Sequence, residues 1–206
     1  MIVAVDGPAA SGKGTIARAL AEHYGLPHLD TGLLYRAVGI GVLRAGGDPA
    51  SEADALSVCD FPAALLADPE LRNEAATEAA SRVSVHPAVR AALLDRQRRF
   101  AAQPGGAVLD GRDIGTVIAP GADAKLFVTA RPEVRAQRRH DELARRGASP
   151  GYGQILADIR ARDARDSGRD AAPLRQAADA ILLDTSDLDI GQAIQRALAL
   201  VEARVR

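Results

Sequence analysis

A glycine-rich segment near the start of the chain has residue types and a spacing that suit phosphate binding. Residues 7–15 read Gly-Pro-Ala-Ala-Ser-Gly-Lys-Gly-Thr and directly follow the apolar run at 2–5. Glycines let backbone N–H groups turn inward around an anion, and a helix that starts there adds the positive end of its dipole. Lys13 would reach the β- and γ-phosphates of a nucleotide, and Thr15 would supply a hydroxyl for Mg²⁺. We predict that the whole segment binds nucleotide phosphates, through Gly7, Pro8, Ala9, Ala10, Ser11, Gly12, Lys13, Gly14 and Thr15.

The residues after the lysine distinguish this loop from the commonest phosphate-loop pattern. That pattern has Ser or Thr directly after Lys, whereas here Gly14 stands in that position and Thr15 follows it. The form Gly-Lys-Gly-Thr is typical of nucleoside monophosphate kinases, adenylate kinases among them. The alternative is a glycine-rich turn between a strand and a helix that binds nothing.

A second segment with candidate chemistry reads LDTGLLYR over residues 29–36. A helix that begins near Gly32 would put Arg36 one turn in, facing the same cleft as an Asp30 at the end of a strand. An arginine in that position can bind a phosphate through two parallel hydrogen bonds. The alternative is a capping Thr31 beside a surface Arg36.

A third segment reads DGRDIGT over residues 110–116 and follows a predicted core strand. Open parallel sheets bind their ligands at this end of the strands. Asp110 has the position of a Walker-B-like carboxylate, and Arg112 and Asp113 carry opposite charges, so they can bind different parts of one ligand. The alternative is a salt-bridged turn.

A fourth segment, residues 162–169, is rich in arginine and aspartate. On a helix, Arg162, Asp166 and Arg169 would share one face, because they stand at positions i, i+4 and i+7. Arg138 and Arg139 precede this segment across a flexible-looking stretch at 147–153. Such an arm could close over a triphosphate and neutralise the charge of the transferred group. The alternative is a solvated helix with ion pairs between successive turns.

The pattern along the chain predicts the elements that would position these segments. Short aliphatic or β-branched runs predict strands at 2–5, 107–110, 125–128 and 181–183. Helices are predicted over 13–24, 33–43, 132 to about Arg146, 154–167 and 190–204. Residues 51–103 read as alanine-rich helices interrupted near Pro62, Pro69 and Pro87. The alternation of strands and helices predicts a parallel sheet covered on both faces.

The composition of the chain argues against several classes of protein. A length of 206 residues suits one α/β domain with a small insertion. The net charge of −1 gives no basic field for nucleic acid, and the single Cys59 excludes an internal disulfide or a multi-cysteine metal site. The sequence shows no apolar stretch of membrane-spanning length and no secretory signal. We expect a cytoplasmic monomer that binds neither nucleic acid nor membrane.

The segments resemble, in the same order, those of bacterial cytidylate kinases. The matching stretches are 7–15, 29–36, 89–98, 110–120, 160–174 and 180–188. They cover nearly the whole chain, and LDTGLLYR together with DGRDIGTV is specific, because most other phosphate-loop kinases lack both. The resemblance implies an α/β fold of the P-loop NTPase class, with three layers built on a five-stranded parallel sheet (the CORE), a small helical insertion that binds the acceptor, and a LID. In one kinase domain over 1–206, the implied limits are about 1–40, 105–135 and 175–206 for the CORE, 45–104 for the insertion and 138–170 for the LID.

The resemblance also implies roles for individual residues. Arg36 and Arg112 would hold the acceptor phosphate, and Arg162 and Asp166 would contact the sugar. The residues that would read the cytosine are Ser81, Arg90, Asp113 and Arg169, and Thr31 and Tyr35 complete the substrate-binding set. The catalytic candidates are Lys13, Arg112, Arg138 and Arg162. Many family members carry a longer insertion with β-strands, whereas residues 60–72 here show no alternating run, so we predict a smaller and more helical insertion.

The implied activity is transfer of the γ-phosphoryl group of ATP, with Mg²⁺, directly to CMP or dCMP. The chemistry of the base agrees with it, because the N4 amine of cytosine can donate to Asp113, whereas uracil would present a carbonyl there. One alternative is a kinase of UMP or another small acceptor. Another is a nucleotide-dependent switch protein, against which the acceptor arginines and the lack of an Asn-Lys-x-Asp motif both argue.

Overall fold

The sheet at the centre of the fold has five strands in the order β2-β3-β1-β4-β5 and is parallel throughout. The computed structural model describes residues 1–145, 147–148 and 150–205. The strands are β1 (Ile2–Asp6), β2 (His28–Asp30), β3 (Ala107–Gly111), β4 (Ala124–Thr129) and β5 (Ile181–Asp184). The predicted α/β fold with a five-stranded parallel sheet is therefore confirmed.

The central strands are buried on both faces because their side chains are apolar in both alternating sets. Val3 and Val5 point to one face of the sheet and Ala4 to the other, and all three are fully buried. In the pairing of β1 with β3, Asp6 stands opposite Gly111. The carboxyl ends of these two strands therefore start the loops at 7–12 and 112–113 side by side.

The helices agree with the sequence pattern within a few residues. They are α1 (Lys13–Tyr24), α2 (Thr31–Arg44), α3 (Glu52–Ser57), α4 (Glu74–Val83), α5 (Pro87–Ala101), α6 (Pro132–Arg145), α7 (Tyr152–Gly168) and α8 (Ile190–Val205), with 3₁₀ turns at Ala63–Ala67 and Pro69–Arg72. The predicted end of α6, Arg146, lies outside the described residues, as does Ser149 of the stretch at 147–153. None of the described helices has the length and hydropathy needed to cross a membrane.

Two elements did not follow from the pattern. β2 has only three residues, too few for a period-two signal to be recognised. The segment Ile114–Ile118 forms one π-helical turn, a rare conformation that is common at functional sites and has no simple sequence signature.

The chain divides into two compact units, of which the first comprises Met1–Leu29 and Ala101–Arg206. Helices α1 and α8 pack together in this unit and share one apolar cluster with the sheet. Ile16 and Leu20 of α1 stand one turn apart and pack in this cluster, as do Ala197 and Val201 of α8. This packing fixes the direction of α1, whose first turn carries Lys13.

The second unit, Asp30–Phe100, is built from helices and 3₁₀ turns, with only Asp30 belonging to a strand. Helices α2 and α4 pack closely within it, and Gly39 allows their approach, because a Cβ there would come within 2.7 Å of the Ala79 Cβ. Residues 51–103, which the sequence predicts to be helical, form helices and 3₁₀ turns. The assignment of 45–104 as an acceptor-binding insertion and of 138–170 as a LID stays a prediction.

Candidate active site

Residues 7–12 connect the end of β1 to the start of α1 in the first unit. Gly12 caps α1 with a left-handed backbone (φ 89°), and its carbonyl accepts from the N–H groups of Thr15 and Ile16, both at 3.1 Å. Ala10 is also left-handed, with φ 58°. Left-handed residues at alternate positions turn successive amides toward one side, the arrangement of anion-binding loops. Lys13 is the first residue of α1, and Thr15 is exposed in the same turn.

Two buried hydroxyls stand at this end of the sheet. Ser11 Oγ and Thr116 Oγ1 have no hydrogen-bond partner among the described residues. A buried hydroxyl without a partner loses its hydration, so it favours a ligand that restores the hydrogen bond. Thr116 had no role in the sequence prediction, and it becomes a further candidate contact.

Asp110, at the end of β3, contacts a residue of the neighbouring strand β2. Its Oδ1 lies 2.7 Å from His28 Nε2, and its side chain is 3% exposed. A Cβ placed on Gly14 would lie 3.6 Å from Asp110 Oδ2. One carboxylate oxygen is therefore held by β2, while the other lies beside the first turn of α1. The His28 contact had no sequence signal, because it depends on strand pairing.

Asp6 fastens the segment 110–116 to the phosphate loop. It is buried at the end of β1, and its two carboxylate oxygens accept from the N–H groups of Ile114 and Gly115, each at 2.8 Å. Burial raises the pKa of Asp6 to about 6, although these two backbone hydrogen bonds act in the opposite direction. The sequence prediction gave Asp6 no role, although an acidic residue at the end of an apolar run was an available signal.

Arg112 and Asp166 lie together in the first unit. Arg112 Nε donates to Asp166 Oδ2 at 2.7 Å, which joins the loop after β3 to α7. Burial alone would raise the pKa of Asp166, but Arg112, Arg162 and Arg169 outweigh it and hold the pKa below its usual value. Asp113, the next residue after Arg112, is buried.

Arg169 does not lie on the face of a helix, where the sequence predicted it. α7 ends at Gly168, and Arg169 follows with an extended backbone, so the spacing i, i+4 and i+7 does not apply to it. Its Nε donates to the carbonyl of Ala172 at 2.7 Å. The side chain nevertheless acts electrostatically on Asp166, so the three charged groups of the segment are neighbours.

Arg138 of α6 contacts the loop after β5. Its guanidinium donates to Thr185 Oγ1 at 3.0 Å and to the carbonyls of Thr185 and Leu188 at 2.6 and 3.3 Å. Thr185 Oγ1 in turn lies 3.1 Å from the carbonyl oxygen of Ser11, to which it can donate. Arg138 therefore reaches the phosphate loop through Thr185, a residue that the sequence analysis did not single out. Its catalytic role stays a prediction.

The second unit contains residues 30–36 of the LDTGLLYR segment, and residues 31–36 form the first turns of α2. Asp30, rather than Thr31, caps this helix by accepting from the Gly32 N–H at 2.9 Å, which corrects the alternative reading of Thr31 as the cap. Thr31 is buried as the first residue of α2. Arg36 Nη1 donates to the carbonyl of Leu71 at 3.2 Å.

The predicted substrate-binding residues Tyr35, Ser81 and Arg90 share a chain of contacts in the second unit. Arg90 lies over the ring of Tyr35, with its Cζ 5.4 Å from the ring centre, and donates to the carbonyl of Ser84 at 3.3 Å. Ser84 Oγ donates in turn to the carbonyl of Ser81 at 3.1 Å. Tyr35, Ser81 and Arg90 are all buried. The structure thus brings these three predicted residues together within the unit.

Comparison with known proteins gives a consistent result over the whole chain. The family model described as cytidylate kinase matches residues 3–203. A cytidylate kinase of Xanthobacter autotrophicus is 65% identical over 99% of this chain and 98% of its own length. One from Caulobacter vibrioides is 58% identical over 100% and 97%. Among solved structures, a gluconokinase of Sinorhizobium meliloti has a TM-score of 0.55 at 17% identity, over 98% of this chain and 91% of that one, a likeness of fold alone.

Proposed function

The chain belongs to the cytidylate kinase family, and from this we propose that it transfers the γ-phosphoryl group of ATP to CMP or dCMP, giving CDP or dCDP. One structural observation carries the proposal further. Asp6 binds the backbone at Ile114 and Gly115, and the Gly7 N–H donates to the Gly111 carbonyl at 3.3 Å. The phosphate loop and the segment with Arg112 and Asp113 are therefore held to each other at adjacent strand ends.

Direct transfer requires positioning and charge neutralisation rather than a covalent intermediate. Lys13 and the backbone N–H groups of residues 9–14 would hold the phosphates of ATP, with the helix dipole of α1 adding positive potential. Arg36 and Arg112 would hold the phosphate of the acceptor. Arg138 and Arg162 would neutralise the charge that develops on the transferred group.

Recognition of cytosine would rest on Asp113, Ser81, Arg90 and Arg169. A buried carboxylate accepts from the N4 amine of cytosine, and it meets the O4 carbonyl of uracil with two acceptors facing each other. Burial of Asp113 makes such a mismatch costly, because water cannot replace the missing hydrogen bond. Thr31 and Tyr35 would complete the acceptor site, and Arg162 and Asp166 would contact the sugar.

Mg²⁺ bound with ATP would meet oxygen donors of the kind that it prefers. The exposed hydroxyl of Thr15 lies in the first turn of α1, and Asp110 Oδ2 lies beside that turn at Gly14. These residues fit the ion, Thr15 as a ligand and Asp110 as an acceptor for water around it. When bound, Mg²⁺ would offset negative charge on the β- and γ-phosphates.

The proposal is tested by measuring ADP formation from ATP and Mg²⁺ with and without CMP. ADP should form only when CMP is present, whereas a nucleotide-dependent switch would hydrolyse ATP without an acceptor. Lys13→Ala should abolish turnover while the thermal unfolding transition stays unchanged. Full turnover in that variant would contradict the mechanism. We further propose a monomer that acts in the cytoplasm, with sedimentation velocity as the test of the monomer.

A further inference from the structure

Arg135 of α6 is a buried arginine that contacts the phosphate loop directly. Its side chain is 3% exposed, which is unusual for arginine and requires that its donors be satisfied. Nε donates to the carbonyl of Ala130 at 2.8 Å, and Nη1 donates to the carbonyl of Ala9 at 3.1 Å. One guanidinium thus joins the end of β4 to the middle of the phosphate loop.

Asp163 of α7 holds the same guanidinium in place. Its two carboxylate oxygens accept from Arg135 Nη1 and Nη2 at 3.0 and 2.5 Å, the two-pronged geometry that only arginine provides. The neighbours of Asp163 along α7 include Arg162 and Asp166. The contact therefore connects the phosphate loop with the helix that carries these two site residues.

The contact at Ala9 determines the orientation of one peptide group in the loop. In a trans peptide the C=O and the following N–H point in opposite directions. When the Ala9 carbonyl points to Arg135, the Ala10 N–H must point to the other side of the loop. Ala10 has the left-handed backbone that such a loop requires, and it packs against an apolar cluster of α6 and α7 that includes Ala136 and Ile159.

A left-handed backbone is unfavourable for a residue that has a Cβ, so Ala10 needs contacts that maintain it. Rotation of the Ala9–Ala10 peptide would relieve this conformation and turn a carbonyl oxygen toward the phosphates instead of an N–H. Arg135 opposes that rotation, because its charge-assisted hydrogen bond would be lost. A lysine at this position could keep the charge, but it could not satisfy Ala9, Ala130 and Asp163 together.

We propose that Arg135 is a positioning residue that orients the Ala9–Ala10 peptide so that the Ala10 N–H donates to the phosphates of ATP, and that Asp163 orients Arg135. The inference rests on the proposed function, since it assumes that ATP binds to the loop. Neither residue needs to touch the acceptor. The expected signature is therefore a loss of ATP affinity that is larger than any loss of CMP affinity.

The test compares Arg135→Lys and Asp163→Asn with Arg160→Ala. Arg160 and Glu133 form an exposed ion pair at 2.7 Å between the same two helices, so Arg160→Ala is a matched control. Binding of ATP with Mg²⁺ is measured by titration calorimetry without CMP, beside thermal unfolding and steady-state KM values for both substrates. Wild-type protein that fails to bind ATP would refute the proposed function itself.

Arg135→Lys should weaken ATP binding ~10-fold, and Asp163→Asn should weaken it ~3-fold. KM for ATP should rise accordingly, while KM for CMP and the affinity of Arg160→Ala stay within about two-fold of wild type. ATP affinity in both Arg135→Lys and Asp163→Asn that matches wild type would overturn the inference. An equal loss of ATP affinity in Arg160→Ala would also overturn the inference, because any broken contact between α6 and α7 would then weaken ATP binding.

Discussion

Arg112 Nε donates to Asp166 Oδ2 at 2.7 Å, so two residues with predicted roles toward CMP are partners of each other. Their side chains are 15% and 7% exposed, and neither charge could stay buried without a partner. The contact uses Nε, and Nη1 donates to the carbonyl of Gly111 at 3.4 Å. If Arg112 binds the phosphate of CMP as we propose, Asp166 is the carboxylate that orients its guanidinium.

Asp166→Asn should weaken the binding of CMP, because it removes the carboxylate that orients Arg112. We expect KM for CMP to rise ~10-fold and KM for ATP to change less than about two-fold. Asp158→Asn is the control, since Asp158 is exposed on the same helix and accepts from Gln154 Nε2 at 2.8 Å. Equal effects of the two substitutions in steady-state kinetics would contradict the role of the pair.

The stability contribution of Asp6 should decrease as the pH rises. Its folded pKa of about 6 lies above the ordinary value of 3.8, so the folded state binds the proton more tightly than the unfolded state. The free energy of unfolding of wild type minus that of Asp6→Asn should therefore fall by roughly 2 kcal/mol between pH 4 and about pH 7. Urea unfolding at several pH values measures it, and a difference that does not change with pH would contradict the assignment.

The activity, in contrast to the stability contribution of Asp6, should increase as the pH rises and Asp6 ionises. Ionised Asp6 accepts from two backbone N–H groups, whereas the protonated acid loses one acceptor and loosens the segment with Arg112 and Asp113. We expect kcat/KM for CMP in wild type to decline as the pH falls through about 6, beyond the decline seen in Asp6→Asn. The phosphate of CMP also titrates near pH 6, but it affects both proteins equally. Identical pH profiles would refute the role of Asp6.

Asp113→Asn should reduce discrimination between CMP and UMP. The amide side chain can present an N–H to the uracil carbonyl, whereas the carboxylate presents only acceptors. The ratio of kcat/KM for CMP to that for UMP should fall ~10- to 100-fold. Asp158→Asn serves as the control, because it makes the same charge change at an exposed position on α7. An unchanged ratio in Asp113→Asn would show that other residues recognise the base.

The sequence predicted the elements that have strong local signals. The helix at 13–24 matched α1 because Gly12 and Gly25 bound it on both sides, and β1, β3 and β4 followed from short aliphatic runs. β2 was missed, since three residues give no periodicity. Pattern alone therefore found four strands, and the fifth was expected only from the resemblance to a family.

Most of the contacts that position the site residues could not be predicted from the sequence. Glycines and Lys13 indicated the phosphate loop because their spacing is local. The contacts of Asp6 with Ile114, of His28 with Asp110 and of Arg135 with Ala9 join residues that are far apart in sequence. Such contacts depend on strand order and helix packing, which no local pattern encodes. A single charged residue in the sequence looks the same whether it is solvated or buried.

The most direct test of the account is a steady-state comparison of CMP, dCMP, UMP and AMP as acceptors with ATP and Mg²⁺. We predict efficient phosphorylation of CMP or dCMP and a kcat/KM for UMP at least ~100-fold lower, because a buried mismatch of two acceptors at Asp113 is not compensated by water. Phosphorylation of UMP as efficient as that of CMP would contradict the account of how this site selects its acceptor.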